Sequence, residues 1–208
     1  MSTVTVAGLG GLGTAVCISL ARAGVGHLVL IDFDHVRQSD LNRQILYCTE
    51  DIGLDKVEAA AKRLLDIRPS LRLSLIKRKI TKETSFPFED KGAKIVADCL
   101  DNLPSRFVLD KMCRDAEAVL IHAGIDGLFG QVTTILPDSS IRLADIYAGV
   151  TLKHKFSTAL CSSCMVVGAI QALEIINYIL KGRKGLAFAG RLLSIDLYNF
   201  SLERLILS

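Results

Sequence analysis

Asp32-Phe33-Asp34, Asn42-Arg43-Gln44, Lys56 and Asp98-Cys99-Leu100-Asp101-Asn102 are the residues whose types could handle a phosphorylated substrate. A carboxylate accepts from sugar hydroxyls or holds a divalent cation, and arginine and lysine stabilise charge on phosphoryl oxygens. Ahead of them runs Gly8-Leu9-Gly10-Gly11-Leu12-Gly13. Glycines where a strand becomes a helix let phosphate approach main-chain N–H groups, and the helix N-terminus adds partial positive charge. Taken singly, Arg43 reads as a surface ion-pair residue and Lys56 as a solvated lysine beside Asp55. At a helix start Lys56 would even oppose the macrodipole, by roughly 0.3–1 kcal/mol. Their weight comes from what they share with the other residues.

The elements that must position them follow from apolar periodicity. Residues 3–7 read as a strand that ends in the glycine run. A helix follows with Val16, Leu20 and Ala23 on one face and stops at Gly24, and residues 27–31 form a second strand closing at Asp32. Strand, glycine turn, helix and strand make a βαβ unit with parallel strands and a right-handed crossover. The pattern predicts an amphipathic helix over 54–67, with Val57, Leu64 and Leu65 facing inward and Pro69 at its end. Strands over 71–76 and 93–98 flank a Pro/Glu/Asp-rich loop. Then come a helix over 103–116, strands over 119–123, 130–136 and 141–146, and a loop over 147–159. A long helix over 161–180 stops at Gly182, and strands over 191–195 and 202–207 finish the chain. The alternation predicts a single α/β domain over residues 1–208. Its Rossmann-like open sheet is parallel in the N-terminal half, with antiparallel strands toward the C-terminus.

In open α/β sheets ligands sit beyond the carboxyl ends of the strands. The glycine run, Asp32 and Asp101 all follow such ends, and Arg43 and Lys56 sit on the connection after the second strand. That collection suits a triphosphate with Mg²⁺. The glycine turn and its acid fit NAD or FAD equally well, but an oxidoreductase has no need for the two cations. It would call for a catalytic His or Tyr/Lys pair late in the chain, where His122 and His154 stand in no recognisable catalytic setting. A Walker loop is excluded because Thr14 stands where its Lys-Ser/Thr pair would begin.

Composition narrows the partners. The net charge of +3 comes without a dense Lys/Arg run, so nucleic acid is not an expected partner. With half the residues hydrophobic there is material for a core and for a subunit interface. No membrane span is expected, because residues 161–180 carry Gln171, Glu174 and Asn177 at helical spacing. The chain opens directly into a strand, so a cytoplasmic home follows by default, and the six cysteines are expected as free thiols.

Seven segments, in order along nearly the whole chain, resemble the ThiF/MoeB/HesA family, which shares its adenylation fold with ubiquitin-activating enzymes. They are Gly8-Leu-Gly-Gly-Leu-Gly13, Ile31-Asp-Phe-Asp34, Leu41-Asn-Arg-Gln44, Gly53-Leu-Asp-Lys56, Asp98-Cys-Leu-Asp-Asn102, Gly124 through Gly130-Gln131, and Gly168-Ala-Ile-Gln-Ala-Leu-Glu174. The resemblance implies ATP- and Mg²⁺-dependent transfer of AMP to the C-terminal glycine carboxylate of a small ubiquitin-like sulfur carrier ending in Gly-Gly, with release of pyrophosphate. It assigns Arg43 and Lys56 to the phosphates, Asp101 to Mg²⁺ and Asp32 to the ribose, and it adds Gly8, Gly10, Gly11, Gly13, Asp34, Asn42, Gln44 and Asn102 as nucleotide contacts. It also implies a homodimer. A short relative of this kind points to a ThiS-like carrier of thiamine thiazole synthesis. A MoaD-like carrier, or the carboxylate of a modified tRNA, is the near alternative. Further off are an NAD-dependent oxidoreductase and a degenerate module that docks ubiquitin-like proteins without activating them.

The chain departs from the family pattern in four places. Cys161-Ser-Ser-Cys164 is a single Cys-x-x-Cys pair at the start of the long helix, half of a tetrahedral site, so no zinc is expected. Either thiol, near a helix N-terminus, is a candidate for the covalent carrier bond that some members form, equally well read as a buried structural thiol. The family's N-terminal arm, whose arginine reaches a partner subunit's ATP site, is not expected here, so no trans-acting arginine is expected from that place. Asp40 stands where asparagine is usual.

Overall fold

The computed structural model describes residues 2–82, 94–150 and 159–207. Most of the Pro/Glu/Asp-rich loop, Ala93, His154 and residues 151–158 of the expected loop lie outside the described residues.

Strand β1 (Thr3–Ala7), helix α1 (Gly11–Arg22) and strand β2 (His27–Ile31) form the expected βαβ unit, and every residue of both strands is buried. Apolar residues on both faces are what a parallel strand covered on both sides requires. Helix α2 (Lys56–Ile67) buries Val57, Ala60 and Leu64. Leu65, expected inward, is 41% exposed. One residue after Leu64 it is rotated by about 100° around the helix, off the packed stripe. Strand β3 (Arg72–Ile76) lies at one edge of the sheet, and β4 (Ile95–Asp98) leads into α3 (Leu103–Asp115). Strands β5 (Val119–Asp126) and β6 (Phe129–Ile135) form an antiparallel pair.

Residues 141–146, expected as a strand, instead hold the short helix α4 (Leu143–Ile146). The Asp110 carboxylate decides this. It accepts from the Arg142 guanidinium and, at 3.0 Å, from the Leu143 main-chain N–H, while Asp145 takes the Arg142 N–H at 2.8 Å. These polar anchors satisfy donors that an apolar pattern cannot reveal. The chain continues through α5 (Cys161–Lys181), β7 (Arg191–Asp196) and β8 (Ser201–Ile206).

Among the described residues eight strands form one sheet in the order β3-β2-β1-β4-β5-β6-β7-β8. The first five are parallel and the last three antiparallel. Alternate residues of β1 serve different faces: Val4 and Val6 pack under α1, α2 and α5, and Ala7 under α3 and α4. The strand order reverses between β1 and β4. A crevice therefore opens beyond their carboxyl ends, where the glycine run and Asp98 to Asn102 emerge.

By length and mean hydropathy of 1.6, the segment Cys161–Gly185 is apolar enough to cross a membrane, contrary to the expectation from its polar residues. Those residues have interior partners instead. Gln171 donates to the carbonyls of Asp98 and Ile121 at 3.0 and 2.8 Å. Glu174 accepts from Thr134 Oγ1, Ala187 N and Phe188 N at 2.9–3.0 Å. With such bonds to the sheet and its loops, α5 is placed as a core helix of this fold.

Candidate active site

The glycine turn is fixed from three sides. Gly8 adopts φ +93°, and a Cβ there would stand 2.6 Å from the Cys99 carbonyl oxygen. At Gly13 a Cβ would stand 1.9 Å from the Gly8 carbonyl oxygen, so that glycine is required by the turn's own closure. Between them Leu9 gives its N–H to Asp32 Oδ2 at 2.6 Å and takes the Tyr47 hydroxyl on its carbonyl at 2.9 Å. The other Asp32 oxygen accepts the Asp34 N–H at 2.9 Å. Burial pushes the Asp32 carboxyl above its ordinary value, although these two amides and the Lys56 charge pull against it. Each oxygen keeps a lone pair, so Asp32 braces the turn and can still accept a further hydroxyl.

Lys56 is no solvated lysine. Its side chain is 7% exposed, with Nζ 3.5 Å from Asp40 Oδ2 and 3.8 Å from Asp34 Oδ2. Asp55, its sequence neighbour, pairs instead with His35 and Lys77. Asp40 is buried and also accepts Gln44 Nε2 at 2.9 Å and the Arg37 N–H at 3.0 Å. Arg43 donates to Ser39 O and Asn42 Oδ1, both at 2.9 Å, and approaches Asp40 at 3.7 Å. The acid at position 40 thus neutralises and aims two cations at once.

These groups line one cavity of about 470 Å³, together with Gly8, Gly10, Gly11, Asp32, Asp34, Gln44, Asp101, Asn102 and Cys164. Gly13, Asn42 and Cys161 are not among its lining residues. Asn102 spends its side chain on structure: Oδ1 caps α3 by accepting the Ser105 N–H at 2.9 Å, and Nδ2 donates to Asp101 Oδ1 at 3.1 Å. Asp101 itself is exposed to the cavity. Among the described residues no three His, Cys, Asp or Glu side chains gather as a metal site. An exposed carboxylate beside a phosphate cradle suits Mg²⁺, which takes one or two carboxylates and completes its shell with phosphate and water.

Of the two candidate thiols of α5, Cys164 fits the buried structural reading rather than the acidic one. Burial pushes Cys164 up to about 11, and the nearby Arg43 charge offsets little of that. Its sulfur lies against Gly11.

The reading of the sequence missed Arg37, Arg78, Lys79 and Arg106, which also line the cavity. With Arg43 and Lys56 they make, among the described residues, six basic side chains against four carboxylates, a surplus that favours an anionic ligand. Lys77-Arg78-Lys79 directly follows β3, so the carboxyl-end rule that found Asp32 could have found them. Lys79 Nζ sits 5.3 Å from the Phe33 ring centre. His122, read as having no setting, belongs to a buried network behind the cavity. Its Nδ1 is 2.7 Å from Asp98 Oδ2 and its Nε2 2.8 Å from the Tyr147 hydroxyl, which in turn accepts from Gln131.

The chain matches the ThiF family over residues 1–208. It belongs to that family. Its relatives include the molybdopterin-synthase adenylyltransferase of Haemophilus influenzae, 36% identical over 98% of this chain and 84% of that protein. The SAMP-activating enzyme E1 of Haloferax volcanii is 32% identical over 97% of this chain and 75% of its own length. The sulfur carrier protein ThiS adenylyltransferase of Escherichia coli is 39% identical over 65% of this chain, which spans about half (54%) of that relative. This ThiF-family chain is accordingly an enzyme of the nucleotidyltransferase class. Its fold is that of E. coli MccB solved with ATP, at a TM-score of 0.83 and 23% identity, covering 100% of this chain and 64% of that one.

Proposed function

We propose that this chain uses ATP to adenylate the C-terminal glycine carboxylate of a ubiquitin-like sulfur carrier, a ThiS-like one first of all, as a single adenylation domain. The observation that carries the reading is the convergence of Arg43, Lys56 and Asp101 on the cavity walled by Gly8, Gly10 and Gly11. A carboxylate is ionised at neutral pH, so the step needs no general base. Its oxygen attacks the α-phosphorus while the bond to pyrophosphate breaks, and what the protein must supply is stabilisation of the phosphoryl charge.

Main-chain N–H groups at the start of α1 receive phosphate oxygens, and Asp32 accepts from the ribose. Lys56, prepositioned by Asp34 and Asp40, and Arg43, steered by Ser39 and Asn42, face the phosphates. Asp101 would hold Mg²⁺, which neutralises phosphate charge and orients the leaving group.

The H. influenzae relative, similar over most of its length, favours a MoaD-like carrier as the second reading. We also propose a cytoplasmic homodimer. Leu173 on α5 and Phe200 and Ile206 at the β8 hairpin are 58%, 88% and 81% exposed, apolar surface of the kind that interfaces cover. Light scattering at micromolar concentration tests the dimer, and a purely monomeric mass overturns it.

The activity is tested by ATP–pyrophosphate exchange against a panel of Gly-Gly-ended ThiS- and MoaD-like carriers. Lys56→Ala and Asp101→Ala are each expected to reduce exchange at least a hundredfold, the scale of removing one donor from a charge-stabilising site. Near wild-type exchange in both variants overturns the assignment.

A further inference from the structure

Arg106 is a buried cation that the adenylation scheme leaves without a role. It lies one turn into α3, is 6% exposed, and lines the cavity. Its guanidinium joins β5 to the turn that follows β4. One terminal nitrogen donates to the Ala123 carbonyl of β5 at 2.8 Å, and the other donates to the Leu100 carbonyl, on the residue immediately before Asp101. The Asp98 carboxylate, 3.9 Å away, balances its charge, and the other Asp98 oxygen accepts the Leu100 N–H at 3.0 Å. Both polar groups of the Leu100 main chain are therefore gripped from inside the protein by an ion pair. Downstream, Asn102 anchors the same turn to the first turn of α3. Asp101 alone in this segment is exposed, standing between two fixed neighbours.

We propose that Arg106 is a positioning residue for Asp101: by holding the Leu100 carbonyl against β5, it sets the direction from which the Asp101 carboxylate meets the divalent cation of the bound nucleotide. The inference rests on the assignment of Asp101 to Mg²⁺ made above. Partners that orient a metal-binding carboxylate typically change metal affinity by about 10- to 100-fold when removed. A cation at this position could alternatively touch the nucleotide itself, and the two roles differ in their dependence on metal and on Asp101.

The test measures binding of a fluorescent ATP analogue, with Mg²⁺ and then with EDTA, in wild type, Arg106→Met, Arg106→Lys, Asp101→Asn and the two double variants. If Arg106 acts through Asp101, Arg106→Met weakens binding about tenfold in Mg²⁺, changes it less than about twofold in EDTA, and adds nothing in the Asp101→Asn background. Arg106→Lys keeps the charge opposite Asp98 but reaches only one of the two carbonyls, so it shows an intermediate loss, and it carries the test if Arg106→Met does not fold. Equal losses in Mg²⁺ and EDTA, or additive losses with Asp101→Asn, overturn the positioning role. A metal-dependent loss in Asp101→Asn with none in either Arg106 variant also overturns it while leaving the parent reading intact. An Asp101→Asn variant that binds magnesium nucleotide like wild type overturns the parent reading instead.

Discussion

Lys56 Nζ lies 3.5 Å from Asp40 Oδ2, and the two side chains are 7% and 9% exposed. The pair links the first residue of α2 to the turn that carries Arg43, so two cations of the cavity share one buried counter-ion. Breaking a buried pair by removing one member strands the other charge, at a cost of about 3 kcal/mol. Asp40→Ala should therefore destabilise by roughly that amount, tempered by the remaining Asp34 contact, and should weaken nucleotide binding as Lys56 and Arg43 lose their aim. Denaturant titration reads the first effect. A loss below about 0.5 kcal/mol would mean that the pair is solvent-screened.

Two glycines of the turn should respond differently to alanine. A Cβ at Gly13 meets the Gly8 carbonyl oxygen at 1.9 Å, whereas one at Gly10 meets nothing nearer than Gln44 Nε2 at 4.0 Å. Gly10 also has φ −77°, outside the left-handed region that favours glycine. Gly13→Ala should destabilise by about 2 kcal/mol, as overpacking does, and Gly10→Ala by less than about 0.5 kcal/mol. Equal melting temperatures for the two variants would contradict the turn geometry.

Acid should loosen the fold through His122. Burial and the facing Arg106 hold its pKa below the usual imidazole value, against the pull of Asp98. It is therefore neutral, giving Nδ1–H to Asp98 and taking the Tyr147 hydroxyl on Nε2. For Asp98, burial is outweighed by Arg106 and by the His122 hydrogen bond, which keep it ionised. As pH falls below about 6.5 the unfolded chain gains a proton at this histidine that the folded chain refuses, and stability drops by up to about 1.4 kcal/mol per pH unit. The Asp98 contribution persists to lower pH and is lost only as pH falls below about 4. His122→Gln should flatten the slope between pH 6.5 and the carboxylate range. The same slope in the variant would remove His122 from the account.

Alkylation should separate the two thiols of α5. Cys164, pushed up to about 11 and packed on Gly11, stays protonated and covered at pH 7.5, while Cys161 is partly exposed. Iodoacetamide followed by peptide mapping should label Cys161 well before Cys164. Faster labelling of Cys164, or its protection by a carrier alone, would restore it as a carrier-linked nucleophile.

Residue pattern alone determined the βαβ start, the single mixed sheet with its antiparallel end, and the cavity-lining places of Gly8, Asp32, Lys56 and Asp101, which follow a strand end or open a helix, and of Arg43 on the connection between β2 and α2. Those signals are local: a glycine run, a period of apolar residues, an acid after a strand. Tertiary structure decided the rest. Asp98 and His122 are 24 positions apart and become neighbours only through the parallel register of β4 with β5. Asp110 turns residues 141–146 into a helix from 32 and 33 positions away. Lys56 changes from a plain surface lysine into a buried cation because Asp40 folds over it, and Arg106 gains its grip on Leu100 only once α3 packs on the sheet. Charge pairing in the interior depends on which groups share the same few ångströms of low dielectric, and linear spacing carries no record of that distance.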